Sequence, residues 1–195
     1  DRIDSFGLLP SVRIVQDETL NRYIIGTFGQ GAPAVFDRAG LGRLGSLPLY
    51  GSALAISNRD SLIFQTDLDF FSTSPINISA ATDGTLIRQV PASERFGKTS
   101  SLVVDDARSL LYGLSGNAQG CLGYGIYVYN WITDASKDLA LPTAPATYWN
   151  PLSNIAVHPT SGKLALLGFS AGVHLILYDS ADDTSPARLS LSNLT

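Results

Sequence analysis

One strand–turn–strand unit recurs four times along the 195 residues, and it constrains this chain more than any other feature. The unit is clearest near the C-terminal end. Ile155-Ala156-Val157-His158 reads as a strand, and Pro159-Thr160-Ser161-Gly162 as a turn, with Pro presetting φ and Gly supplying a positive one. Lys163–Gly168 returns, Val173–Asp179 makes a third strand after Ser170-Ala171-Gly172, and Ala187–Leu191 alternates as a half-exposed outer strand does. Leu102–Asp105, Leu110–Gly113, Ile126–Tyr129 and Leu139–Leu141 repeat the order. So do Leu54–Ser57, Leu62–Phe64, Ile76–Ile78 and Thr85–Val90, and before them Val12–Val15, Tyr23–Gly26, Ala34–Asp37 and Leu44–Leu49.

First strands end at Val15, Ser57, Asp105 and His158 in this reading, at intervals of 42, 48 and 53 residues. A period of roughly 40 to 50 residues is that of β-propeller blades, and it is too long for leucine-rich or ankyrin repeats. No segment carries helical periodicity. Many short strands also suit a β-sandwich, but recurrence of one unit favours the propeller. The expected fold is all-β: a propeller, or part of one, of four four-stranded antiparallel blades at about 7–49, 50–93, 94–145 and 146–195.

Leu102–Gly113 and Ile155–Gly168 resemble the strand–turn–strand core of YVTN and lactonase-like propeller repeats. Gly125-Ile126-Tyr127-Val128-Tyr129-Asn130 resembles the strand that follows it in that family. The resemblance covers about half of the chain. It implies more blades than four, and it admits a lactonase-like hydrolase. The chain has no Trp-Asp dipeptide, and its Trp131 and Trp149 do not fall at matching repeat positions. Hemopexin-like propellers do have four blades but close their ring with a disulfide, and Cys121 is the one cysteine here.

Four blades pose a physical question. Either they close a ring, or the first and last leave apolar faces that soluble monomers rarely expose. The expected partners are therefore another protein chain, a second copy, or further blades of the same protein. The chain starts at Asp1 and has no Met, which suggests a processed chain or a piece of a longer one. Two sequons, at Asn77 and Asn193, point to a secreted or surface glycoprotein.

Composition excludes several functions. Net charge is −4 with 13 Lys and Arg, and no basic run marks a nucleic-acid surface. No apolar stretch is long enough for a membrane-spanning helix. Two isolated His residues, His158 and His174, lack metal-ligand spacing, and Asp67-Leu68-Asp69 lacks the rest of a calcium loop. The glycines from Gly113 to Gly125, around Cys121, are not followed by the Lys-Ser/Thr of a phosphate cradle. No metal or cofactor is expected.

Weak catalytic candidates remain in His158, Asp105 and Arg108, with Asp106 beside them. Each lies in a turn, where Asp commonly binds its own backbone. Tyr148 and Trp149 are candidate binding residues, since exposed aromatics serve protein interfaces and sugar sites. The sequence thus points to a non-enzymatic binding or assembly module, with a lactonase-like hydrolase and a glycan-binding propeller as alternatives.

Overall fold

The computed structural model describes residues 13–26, 32–49, 53–66, 75–91, 99–115, 125–140, 155–169, 173–178 and 187–190. They form sixteen strands in four sheets, and each sheet is a meander of four consecutive antiparallel strands. Blade 1 holds β1 (Arg13–Asp17), β2 (Arg22–Gly26), β3 (Ala34–Asp37) and β4 (Arg43–Ser46). Blade 2 holds β5 (Ala53–Ser57), β6 (Leu62–Thr66), β7 (Ile76–Ala80) and β8 (Leu86–Val90). Blade 3 holds β9 (Thr99–Asp105), β10 (Leu110–Ser115), β11 (Gly125–Asn130) and β12 (Ala135–Ala140). Blade 4 holds β13 (Ile155–Val157), β14 (Leu164–Phe169), β15 (Val173–Tyr178) and β16 (Ala187–Ser190).

The first strands stand side by side: β1 packs on β5, β5 on β9 and β9 on β13, while no comparable contact joins β13 to β1. The outer strands β4 and β8 are largely exposed, as are the described side chains of β12. Four blades radiating from a central set of inner strands, without closure, make a partial β-propeller.

Three apolar clusters weld the blades face to face. Ile24 and Val35 of blade 1, with Leu47 and Leu49, meet Leu54 and Ile63 of blade 2. Ala53, Phe64 and Ile78 of blade 2 meet Leu102, Leu111, Tyr129 and the nearby Trp131. Tyr112, Ile126 and Val128 of blade 3 meet Ile155, Leu164 and Leu166 of blade 4. Alternation along each strand sends successive side chains to opposite faces, so blades 2 and 3 are apolar on both.

The structure moves several strand ends. The first strand ends at Asp17, not Val15, because Asp17 rather than Val15 pairs with Arg22 and opens the turn. Equivalent positions are then Asp17, Ser57, Asp105 and His158, at intervals of 40, 48 and 53 residues. The outer strand β12 begins at Ala135, ahead of the apolar Leu139-Ala140-Leu141, because it pairs with β11 directly after a short turn. The third strand of blade 2 is a full five residues, although Asn77 and Ser79 blur its apolar pattern.

Candidate functional site

The polar side chains with potential chemistry gather where first strands turn into second strands. At the first position of that turn, a side chain accepts the backbone N–H three residues on. Asp17 Oδ1 accepts Leu20 N at 3.0 Å, Ser57 Oγ accepts Asp60 N at 3.1 Å, and Asp105 Oδ1 accepts Arg108 N at 3.2 Å. His158 Nδ1 does the same for Ser161 N at 3.2 Å. Asp, Ser and His are different chemistries, but all place an acceptor at the right height above the turn.

The fifth position of each turn has positive φ: Asn21 at 49°, Ser61 at 54°, Ser109 at 57° and Gly162 at 73°. In blades 1 to 3 its carbonyl accepts an N–H from the blade's other turn on the same side. Arg38 N donates to Asn21 O at 3.1 Å, Ala81 N to Ser61 O at 2.8 Å, and Trp131 N to Ser109 O at 3.3 Å. Two hairpin turns per blade are thereby locked into one surface.

A second set of bonds crosses between blades. Glu18 N donates to Asn58 Oδ1 at 2.8 Å, and Asn58 N to Asp106 Oδ2 at 3.1 Å. Arg59 donates to Asp106 O and, at 2.7 Å, to Ser109 Oγ. Arg108 donates to Asp105 Oδ2 at 2.8 Å and reaches Thr160 O of blade 4 at 2.9 Å. Arg22 pairs with the buried Asp17 at 2.9 Å and donates to Ala81 O of blade 2.

Electrostatics at the joint of blades 2 and 3 centre on Asp60. Its Oδ2 accepts from Arg59 at 2.6 Å and from Trp131 Nε1 at 2.8 Å. These bonds, Arg59's first, hold the carboxyl below the usual carboxylate range. Arg59 lies 5.9 Å from the centre of the Trp131 ring, and Phe64 packs 5.1 Å from that ring on blade 2's own face. Nearer the rim, Arg88 of β8 donates to Trp131 O at 2.7 Å and stands over Tyr129. The Tyr129 phenol, bonded to Asp134 at 2.7 Å, is pushed well above its ordinary range, mainly by burial.

The four catalytic candidates thus occupy two neighbouring turns. Asp105 and Arg108 form one ion pair, Asp106 lies against blade 2, and exposed His158 caps the turn of blade 4. The Asp105 carboxylate is almost fully buried, with both oxygens bonded within its own turn. Among the described residues no three His, Cys, Asp or Glu come together as a metal-binding group. Asn77 lies mid-strand in β7, paired to Gln65 on one side and Gln89 on the other. His174 is in β15; Asp67, Asp69, Cys121, Tyr148, Trp149 and Asn193 lie outside the described residues.

Sequence reasoning missed Asn58, Arg59, Asp60 and Arg22. The signal was present. Aligning the blades at Asp17 rather than Val15 puts Glu18, Asn58 and Asp106 in one column of hydrogen-bonding side chains.

No protein-family model matches the sequence, and no curated protein matches it. Solved structures do match in shape. A chain of a nidogen/laminin complex superposes with a TM-score of 0.71 at 14% identity, over 92% of this chain and 64% of that one. The Cps50 (Swd1) β-propeller domain of Myceliophteria thermophila gives 0.65 at 10% identity, over 94% and 56%. Dihydro-heme d1 dehydrogenase NirN, in complex with DHE, gives 0.62 at 14% identity, over 93% and 38%.

Together with the blade architecture, these matches define the class: this is a β-propeller arc. The chain spans under two thirds of each of these three structures. The first of them is about 280 residues long on these fractions (195 × 0.92 ÷ 0.64), so about 100 of its residues lie beyond the match.

Proposed function

We propose that this chain serves as a protein-binding or assembly module on a secreted or surface propeller, without chemistry of its own. The observation that carries the reading is the use made of its polar side chains. Asp105, Arg108 and Asp106 hold turns and blade joints, and a group committed to a structural bond is not free to shuttle protons. Large apolar side chains are instead presented at the rim. Leu44 of β4, Leu86 and Ile87 of β8 and Ile132 of the β11–β12 turn are all more than half exposed. Such positions suit protein contact. One of the similar folds is a chain of a nidogen/laminin complex, which is consistent with such a role.

Extracellular placement is part of the proposal and rests on the two sequons. Asn77 is half-buried between Gln65 and Gln89 in the middle of blade 2's sheet, with its Oδ1 shielded from solvent, which favours Asn193 as the sequon that carries a glycan.

The test is enzymatic. Purified protein assayed against lactones and sugar esters is expected to show no turnover above a heat-denatured control. Turnover that disappears in His158→Ala or Asp105→Asn, with those variants still folded, would overturn the reading in favour of a hydrolase. Peptide mapping before and after glycosidase treatment is expected to place any glycan on Asn193. An occupied Asn77 would show that this half-buried position is open to modification and would overturn the assignment to Asn193.

A further inference from the structure

Alignment at the first turn exposes an asymmetry between blade 1 and the other three. Three residues before the turn stand Ile14, Leu54, Leu102 and Ile155, all large and apolar. In blades 2, 3 and 4 this side chain is 3%, 8% and 6% exposed, because the preceding blade covers it. Ile14 is 62% exposed. A second column tells the same story. Ile63, Leu111 and Leu164 are completely buried against the preceding blade, whereas their counterpart Tyr23 is half-buried. Blade 1 therefore carries the receiving half of a joint used three times elsewhere in the molecule.

The turn bonds specify what the other half must bring. At the first two joints the earlier blade's second turn residue donates its N–H to the later blade's side chain in the same column. Glu18 N donates to Asn58, and Asn58 N to Asp106. The side chain in that column on blade 1 is Glu18, exposed, with Gln16 Nε2 bonded to it at 3.2 Å. In blade 4 the column holds Pro159, which has no N–H to donate. A second copy offering blade 4 to blade 1 could not make the bond. A second copy would also bring a whole 195-residue chain, where the first similar structure has about 100 residues beyond the match.

We propose that the outward face of blade 1, centred on Ile14 and Tyr23 with Glu18 at its edge, is an inter-blade interface. Its occupant is a further four-stranded blade of the same protein, with a non-proline residue at the second turn position donating its N–H to Glu18. An apolar second and third strand on that blade covers Ile14 and Tyr23, as Ile24 and Val35 cover Leu54 and Ile63. The completed ring stands independently of what it binds and of the binding-module reading.

The test uses the full-length protein as its source produces it. In a Cys121→Ser background, maleimide labelling is compared for Ile14→Cys and Ile132→Cys, the latter replacing a side chain 68% exposed. The expected result is labelling of Ile14→Cys slower by about 100-fold, independent of protein concentration, as for a site that opens only by local unfolding. Sedimentation is expected to give a single chain longer than these 195 residues. Equal labelling rates would mean a bare face and would overturn the proposal. Protection that appears only as concentration rises, with a dimer in the ultracentrifuge, would overturn it in favour of a second copy. Should Ile14→Cys fail to fold, hydroxyl-radical footprinting of Tyr23 in the unsubstituted protein decides between the same outcomes. Protection supports the added blade, and oxidation at the rate of an exposed tyrosine overturns it.

Discussion

At Gly162 the backbone has φ of 73°, and a Cβ there would lie 2.8 Å from the Arg108 guanidinium carbon. The equivalent Asn21, Ser61 and Ser109 tolerate positive φ with a side chain, so conformation alone does not demand glycine. What sets Gly162 apart is the Arg108 side chain passing over it to Thr160. Gly162→Ala therefore adds left-handed strain of about 1–2 kcal/mol and displaces Arg108 as well. The expected outcome is a melting temperature lower by several degrees, at about 2–4 °C per kcal/mol for a chain of this size. Combining it with Arg108→Ala, which removes the clash, is expected to add less than the two single losses sum to. Thermal melts of the three variants check this. The Pro-Thr-Ser-Gly turn itself was legible in the sequence, as was the tendency of Asp105 to bind its own turn. The crossing of Arg108 between blades was not, because it joins residues 52 positions apart.

At the scale of the element, strand existence was legible and strand extent less so. Apolar alternation found all sixteen strands in outline. It ran short in β7 because Asn77 and Ser79 occupy the face turned toward blade 1, where the alternation rule expects apolar side chains. Gln65 Oε1, Asn77 Oδ1 and Ser79 Oγ are buried there without a protein hydrogen-bond partner. A buried hydroxyl with no partner carries a desolvation cost of about 1–3 kcal/mol. Ser79→Ala removes that group and only one heavy atom. It is expected to leave stability unchanged or to raise it by up to about 1 kcal/mol, unlike most core substitutions. Urea unfolding at constant m-value measures it, and a loss above about 1 kcal/mol would show that Ser79 has a bonded partner after all.

Across the whole molecule, stability resides in the joints, and the joint of blades 2 and 3 is readable by pH. The Asp60 carboxyl of blade 2 is held below its ordinary range by Arg59 and by Trp131 Nε1–H of blade 3. A carboxyl with a depressed folded-state pKa adds stability above its unfolded pKa, about 4, and that contribution is lost as pH falls through the folded value. Asp60→Asn is thus expected to be less stable than the parent at neutral pH. The difference should shrink as pH drops below about 4. Thermal melts from pH 7 to pH 2.5 in a Trp149→Phe background, with the emission of Trp131 as the local probe, test both the sign and the window. A constant difference across that range would place the effect in packing and not in charge.

Taken alone, the sequence was sufficient for the fold class. Period, turn chemistry and strand patterning are local properties, and each blade is a meander built from neighbours in the chain. Only the tertiary structure decided how the polar residues are used. Asp105, Asp106 and Arg108 read as candidates for chemistry until the blades are assembled around them. Assembly also separates Ile14 from Leu54, Leu102 and Ile155, which look alike in sequence. Burial depends on whether a neighbouring blade is present, a property of the packed molecule that no single blade carries.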